Sequence, residues 1–117
     1  MMTTVILDTS FILTAIENGI DIRDELSRIL EEKYSIAIME GTLKELKGKK
    51  QENIAHLMLE KGKMAVIPSS AEKSVDASLL EQASKETIVA TQDKRLKEKL
   101  KKRGSRILTI RQKKYVM

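Results

Sequence analysis

The sequence predicts an α/β fold, a three-layer α/β/α sandwich built around a mainly parallel, five-stranded sheet. Apolar runs of strand length alternate along the chain with segments whose apolar residues recur at helical spacing. Strands that are separated by helices need crossover connections, which favour parallel pairing with helices on both faces of the sheet. The 117 residues show no internal repeat, no linker and no cysteine, so we expect one domain, 1–117, without disulfide bonds.

The predicted strands are short apolar runs bounded by polar or turn-forming residues. Pro68 follows the third run and breaks it, because proline cannot donate a backbone hydrogen bond. The five predicted strands are Thr4–Leu7, Ser35–Met39, Met64–Ile67, Thr87–Thr91 and Arg106–Ile110.

The predicted helices lie between these strands. The first begins near Phe11 and is ended by Asn18-Gly19, and the glycines Gly62 and Gly104 are predicted to end two later helices. In the second helix, Ile22, Leu26 and Ile29 share one face. The helices after the first are predicted at Asp21–Glu32, Leu43–Leu46, Glu52–Lys61, Val75–Ala83 and Lys94–Arg103.

Positive charge is concentrated in the last part of the chain. Residues 94–117 hold 11 of the 22 Lys and Arg residues and a single acid, Glu98, whereas the rest of the chain is acidic overall. A basic stripe beside an acidic body is typical of a protein that binds nucleic acid, although a solvated helix face gives the same pattern. The content of one Phe, two Tyr and no Trp argues against binding of single strands by base stacking.

The sequence also predicts where the protein is found in the cell. No segment has the features of a signal peptide, and no apolar run approaches the roughly 18 residues that cross a bilayer. The absence of cysteine suits a reducing compartment. We therefore expect a cytoplasmic protein with no membrane partner.

Four acidic residues are predicted to gather at one edge of the sheet. Asp8 and Asp93 directly follow apolar runs, while Glu45 and Asp76 lie near the start of predicted helices. In an open α/β sheet, ligands bind at this edge, beyond the carboxyl ends of the strands. Four carboxylates there would repel one another, and Mg²⁺ or Mn²⁺ would relieve the repulsion because both ions prefer carboxylate oxygens.

Each of these acids also has a purely structural explanation. Asp8 and Asp93 precede predicted helices, as N-caps do, and Thr42-Leu43-Lys44-Glu45 fits a capping box. Asp76 lies in the first turn of its helix, where the helix dipole favours an acid. Capping and metal binding are compatible at one residue, so both interpretations stay open. His56 has no evident partner and is interpreted as a surface or packing residue.

The chain resembles the PIN-domain ribonucleases over nearly its whole length. The opening Val5-Ile6-Leu7-Asp8-Thr9-Ser10 is similar to the family's strand followed by Asp-Thr-Asn/Ser. The segment 42–46 resembles the helix that carries the second acid, and 74–83 resembles the helix that carries the third. The most recognisable motif is 89–96, which is similar to Val-Ala-Thr-Asn-Asp-Arg-x-Leu. The closing Arg111-Gln112-Lys113-Lys114 resembles an archaeal branch related to the eukaryotic small-subunit rRNA processing nuclease.

The resemblance implies a divalent-metal-dependent endoribonuclease that hydrolyses RNA with Mg²⁺ or Mn²⁺. Its catalytic and metal-binding residues would be Asp8, Glu45, Asp76 and Asp93, holding one or two ions. The hydroxyl groups of Ser10 and Thr91 would support these ligands through hydrogen bonds. Phosphates of the RNA would contact basic residues of the last predicted helix, namely Lys94, Arg95, Lys97, Lys101, Lys102 and Arg103.

Three residues depart from the family's pattern. Ala77 replaces a second aspartate and Gln92 replaces an asparagine, which predicts either weaker metal binding or one metal site instead of two. Glu40 adds a fifth acid near the same edge, so that either Glu40 or Glu45 could be the ligand. The Asp76-Ala77 pair is also similar to toxin-type (VapC-like) nucleases of toxin–antitoxin pairs.

The resemblance leaves three cellular roles open. The chain could be an rRNA processing nuclease, a toxin nuclease, or an RNA-binding scaffold with weak catalysis. The expected partner is RNA, either an rRNA precursor or another structured RNA. An antitoxin, a ribosome-assembly protein and a second copy of the chain are the alternative protein partners.

Overall fold

The central sheet has five strands, and the strand that precedes Asp8 lies in its middle. The computed structural model describes residues 3–68, 74–84, 86–111 and 114–117, apart from the side chain of Asp76. The strand order is β3-β2-β1-β4-β5, and all four pairings are parallel. The strands are β1 (Thr3–Leu7), β2 (Tyr34–Met39), β3 (Ala65–Ile67), β4 (Thr87–Ala90) and β5 (Arg106–Leu108). The predicted five-stranded parallel sheet is confirmed.

Helices follow the strands as the sequence predicts. They are α1 (Thr9–Glu17), α2 (Ile22–Ile29), α3 (Glu40–Leu46), α4 (Glu52–Gly62), α5 (Val75–Gln82) and α6 (Lys94–Lys102). Among the described residues, no helix is long and apolar enough to cross a membrane. The cytoplasmic location stays a prediction.

Hydrophobic residues cover both faces of the sheet, which confirms the three-layer architecture. In β1, Val5 and Leu7 pack on one face against α1, α2, α3 and α4, while Ile6 packs on the other face against α5 and α6. Successive side chains of a strand point to opposite faces, so a strand buried on both faces reads as a continuous apolar run. This is why the strands contain few polar residues.

The C-terminal end of the sheet differs from the prediction. The fifth strand was expected to continue to Ile110, but β5 ends at Leu108. Ile110 belongs instead to a short antiparallel hairpin of β6 (Ile110–Arg111) and β7 (Tyr115–Val116). Thr109 exchanges two backbone hydrogen bonds of 2.9 Å with Met117, beside the pairing of Ile110 with Val116. Burial of Ile110 and Val116 against the α1–α4 face holds the hairpin there.

Several predicted helix boundaries were also wrong; α2, for example, ends at Ile29 instead of Glu32. The helix α3 begins at Glu40 instead of Leu43, so Thr42 lies inside the helix, fully buried, and the predicted capping box does not form. In α4, Gly62 is the last helical residue, and the left-handed residue that follows is Lys63, with φ of 50°. A Cβ at Gly62 would lie 3.1 Å from the end of the Met64 side chain, so a larger residue there would require that side chain to shift.

Candidate active site

Three of the four predicted acids lie in one cleft at the carboxyl ends of the strands. Asp8 follows β1, Glu45 is near the end of α3, and Asp93 precedes α6. Because β1 lies between β2 and β4, the segments after these strands meet at the centre of the sheet edge. The cleft has a volume of about 470 Å³ and is lined by Asp8, Thr9, Ser10, Leu13, Glu45, Lys49 and Asp93.

Asp8 is buried and is held by two hydroxyl groups. Its backbone N–H bonds to the Ala90 carbonyl at 2.9 Å, which places it between β1 and β4. Its Oδ2 accepts hydrogen bonds from Thr91 Oγ1 at 2.7 Å and from Ser10 Oγ at 3.0 Å. Asp8 occupies the N-cap position of α1, but its side chain accepts no hydrogen bond from a helix amide. The capping interpretation is therefore wrong for the side chain of Asp8.

Asp93 is a helix cap and a cleft residue at once. Its Oδ1 accepts the amides of Arg95 at 2.9 Å and Leu96 at 3.2 Å, which confirms the capping interpretation. Neither bond uses Oδ2. The Asp93 amide in turn donates to Thr91 Oγ1 at 3.1 Å, so Thr91 is bonded to both Asp8 and Asp93.

Glu45, and not Glu40, is the glutamate that lines the cleft. Its Oε1 accepts a hydrogen bond from Thr9 Oγ1 at 2.8 Å, which ties α3 to the start of α1. Glu40 is the first residue of α3 and lies 3.8 Å from the ammonium of Lys44, with which it forms an exposed ion pair. Of the two predicted alternatives, Glu45 is therefore the one that lies in the acidic cleft.

Asp76 is the second residue of α5, but its side chain lies outside the described part of the structure. The helix begins after Ser74, whose Oγ accepts the Ala77 amide at 3.1 Å. Among the described residues, no group of three or more His, Cys, Asp or Glu side chains is close enough to hold a metal ion. The cleft carboxylates supply only hard oxygen donors, and that donor set fits Mg²⁺ or Mn²⁺.

Gln92 is turned away from the acids. Its Oε1 accepts hydrogen bonds from the Ile110 amide at 2.6 Å and from Thr109 Oγ1 at 2.8 Å, while its Nε2 donates to the Ile110 carbonyl at 3.2 Å. Its backbone amide donates to Ser10 Oγ at 3.1 Å, and Ser10 in turn donates to Asp8. Gln92 therefore connects the C-terminal hairpin to the hydroxyl groups that hold Asp8.

The predicted RNA-binding residues of α6 differ in their surroundings. Lys94, Arg95, Lys101 and Lys102 are exposed. Arg103 is exposed too, but its guanidinium donates to the Leu80 carbonyl at 3.0 Å.

Lys97 is less exposed than its neighbours on α6. Its ammonium donates to Thr109 Oγ1 at 2.8 Å. Partial burial lowers the pKa of Lys97, and the nearby charges of Arg111, Lys101 and Lys94 lower it further. Lys97 is therefore a positioned cation in a basic neighbourhood.

Lys49 is a cleft residue that the sequence did not identify. It belongs to 47–50, a segment interpreted only as a loop, and no motif marked it as functional. The fold brings it to the cleft because this loop follows α3, the helix that carries Glu45. His56 is half exposed, as expected of a surface residue, but its ring lies 3.9 Å from the carboxylate of Glu52, a neighbour that the sequence analysis did not identify.

Comparisons with known proteins place these residues in a wider context. A family model described as a PIN like domain matches residues 5–113. Ribonuclease VapC4 of Methanocaldococcus jannaschii is 33% identical over 125 aligned residues, which cover 97% of this chain and 95% of that protein. The solved structure of the PIN domain endonuclease Utp24 matches with a TM-score of 0.82 and 25% identity, covering 97% of this chain and 88% of that one. The segment matched by the family model contains all four predicted acids.

Proposed function

Because this chain belongs to the PIN-domain family, we propose that it is a divalent-metal-dependent endoribonuclease, a single nuclease domain spanning 1–117. One observation carries the proposal: Asp8, Glu45 and Asp93 come from three separate segments and line one cleft. Helix capping explains one oxygen of Asp93 but does not explain the buried carboxylate of Asp8. The hydroxyl groups of Ser10 and Thr91 offset part of the cost of burying this carboxylate, and a bound divalent ion would offset more of it.

The ion would be held by Asp8, Asp76 and Asp93 with Glu45 beside them. A divalent ion in such a site lowers the pKa of a bound water and stabilises charge on the scissile phosphate. The protein fixes the orientation of both carboxylates. Hydroxyl groups donate hydrogen bonds to Oδ2 of Asp8, and backbone amides donate hydrogen bonds to Oδ1 of Asp93. The exposed cations at the start of α6, Lys94 and Arg95, would bind RNA phosphates beside the scissile bond, whatever the base sequence of the RNA.

The test is cleavage of a labelled structured RNA in Mn²⁺, in Mg²⁺ and in EDTA. Wild type is compared with Asp93→Asn, because asparagine caps a helix about as well as aspartate but is a poorer metal ligand. Asp21→Asn is the matched control, since Asp21 caps α2 through the Asp24 amide at 3.0 Å and lies outside the acidic cleft. We expect metal-dependent cleavage by wild type and Asp21→Asn, and none by Asp93→Asn.

Two other results would reject the proposal. Cleavage that persists in EDTA would exclude a divalent metal as the cofactor. Equal activity of Asp93→Asn and wild type would exclude the acidic cleft as the active site. RNA binding without cleavage in either metal would instead support the RNA-binding scaffold.

A toxin role is the second candidate, and an apolar surface suited to a protein partner supports it. A second cleft of about 430 Å³ lies between α1, α2 and α4, and apolar side chains line most of it. Ile54 and Leu57 on α4 are about half exposed there, at 48% and 52%. Large exposed apolar side chains that line one cleft mark a surface for a protein partner. A toxin should arrest growth when it is expressed alone, and an antitoxin encoded beside it should restore growth.

A further inference from the structure

The acidic cleft contains a lysine as well as its three carboxylates. Lys49 is exposed and lines the cleft together with Asp8, Glu45 and Asp93. The ion pairs observed among the described residues use other basic side chains, and Lys49 is paired with none of the described acids. Its ammonium is therefore available to a ligand that enters the cleft.

The backbone around Lys49 is held on both sides. The Lys49 amide donates to the Leu46 carbonyl at 3.0 Å, and the Lys49 carbonyl accepts the Glu52 amide at 3.1 Å. The Glu52 carboxylate accepts the Gly48 amide at 3.2 Å. Gly48 has φ of +82°, a conformation that glycine adopts without strain, so the sequence permits this tight loop. These bonds fix the position from which the lysine side chain extends.

Lys49 lies across the cleft from the cations of α6. The loop that carries Lys49 follows β2 and α3, whereas Lys94 and Arg95 follow β4. In the sheet, β1 lies between β2 and β4, so Asp8 at its end is central. A chain of phosphates that runs from the start of α6 to Lys49 would therefore pass over the carboxylates.

Resting on the proposed nuclease function, we propose that Lys49 binds a phosphate of the RNA on the opposite side of the scissile bond from the α6 cations. An ammonium group binds phosphate as a point charge and needs no fixed orientation of the RNA. With cations on both sides, the strand is directed across the acidic cleft, where an anionic polymer would otherwise be repelled. Lys49 is thus a positioning residue for the scissile phosphate.

The experiment measures binding of a fluorescein-labelled poly(U) oligonucleotide in EDTA over a series of salt concentrations. EDTA prevents cleavage of the labelled RNA. Wild type is compared with Lys49→Met, which keeps an apolar stem without the charge, and with Lys49→Arg, which keeps the charge. Lys50→Met is the matched control, because Lys50 is exposed on the same loop but does not line the cleft.

We expect the slope of log Kobs against log salt to fall by about 0.7 in Lys49→Met, the value for one lost phosphate contact on a single strand. Lys49→Arg should keep the wild-type slope, and Lys50→Met should change it by clearly less. Equal losses in Lys49→Met and Lys50→Met would overturn the proposal, because they would show that the overall positive charge of the loop attracts the RNA without a specific contact from Lys49.

A second measurement separates phosphate binding from a simple counter-ion role. If Lys49 only neutralises the carboxylates, Lys49→Met should bind Mn²⁺ more tightly and leave the RNA slope unchanged, which would overturn the proposal. Because RNA binding is measured without metal, the result does not depend on cleavage. If wild type binds RNA in EDTA but cleaves no labelled RNA in Mn²⁺ or Mg²⁺, the nuclease function fails, while the slopes measured in EDTA still decide whether Lys49 contacts phosphate.

Discussion

The side-chain amide of Gln92 pairs with both backbone groups of Ile110. It accepts the Ile110 N–H at 2.6 Å and donates to the Ile110 carbonyl at 3.2 Å, as a neighbouring strand would. The hairpin that contains Ile110 is therefore attached to the segment between Thr91 and Asp93. This contact gives Gln92 a structural role. From the sequence alone, Gln92 was only a residue that replaces the asparagine of the family's pattern.

We expect Gln92→Asn to lower the free energy of unfolding by about 1–3 kcal/mol without raising activity. Asparagine is shorter by one methylene and cannot reach both groups of Ile110, and each lost hydrogen bond costs roughly 0.5–1.5 kcal/mol. Urea denaturation measures the loss. Gln82→Asn, at the exposed end of α5, is the control and should change stability by less than about 0.5 kcal/mol. Higher nuclease activity in Gln92→Asn would contradict this interpretation.

The strands and three acids of the cleft could be predicted from the sequence because their signals are local. Asp8 and Asp93 follow strands buried on both faces, and such strands read directly as apolar runs. The parallel order then brings their ends together. Glu45 was predicted at this edge as a residue near the start of a helix, but it lies near the end of α3, a helix of seven residues that begins directly after β2.

Other features could not be predicted because they depend on contacts that are distant in sequence. The hairpin of β6 and β7 has strands of two residues each, too short for any periodicity, and burial of Ile110 and Val116 stabilises it. Lys49 reaches the cleft because of the path of the loop that follows α3. The capping box at Thr42 failed because α3 begins at Glu40, three residues before the predicted start at Leu43, so that Thr42 is buried inside the helix.

Thr91 provides a direct test of how the carboxylates are held. Its hydroxyl group donates to Asp8 Oδ2 at 2.7 Å and accepts the Asp93 amide at 3.1 Å, and its side chain is fully buried. We expect Thr91→Val, which has the same shape without the hydroxyl, to lower stability by about 1–3 kcal/mol because it leaves polar groups without a partner. It should also weaken Mn²⁺ binding about 10–100-fold, as loss of a group that orients a metal ligand does.

Urea denaturation and calorimetric titration with Mn²⁺ measure the two effects of Thr91→Val. Thr91→Ser keeps the hydroxyl group and is the control, so it should retain most of the metal affinity. Wild-type Mn²⁺ affinity in Thr91→Val would show that Thr91 does not orient the ligands.

Stability at acidic pH should depend on Glu32 at the opposite edge of the sheet. Arg106, at the start of β5, donates two hydrogen bonds to the Glu32 carboxylate, at 3.0 and 2.7 Å, and Thr3 donates a third at 2.6 Å. Arg106 first, and then Thr3, lower the pKa of Glu32 from 4.5 to about 2. A carboxyl group whose pKa is lower in the folded state stabilises the fold above its unfolded pKa. That contribution is lost as the pH falls towards the folded pKa.

We therefore expect Glu32→Gln to be less stable than wild type at neutral pH, and the difference to shrink between pH 4.5 and about 2. Urea denaturation at several pH values measures the difference. Glu31→Gln is the control, because Glu31 is the adjacent exposed acid. A difference that stays constant through this pH range would refute the assignment of the shift to Glu32.

Binding of Mn²⁺ should stabilise the folded chain even without RNA, because only the folded state brings Asp8, Glu45 and Asp93 into one cleft. At a free Mn²⁺ concentration of 100 times Kd, the stabilisation is about 2.7 kcal/mol. We expect thermal unfolding of wild type and of the Asp21→Asn control to move to higher temperature in Mn²⁺, whereas Asp8→Asn should move little. Asp8 is also held by Ser10 and Thr91, so Asp8→Asn will differ in stability without metal, and only the change on adding Mn²⁺ is compared. An equal shift in Asp8→Asn and wild type would mean that the ion binds elsewhere, and the acidic cleft would then lose its role as the metal site.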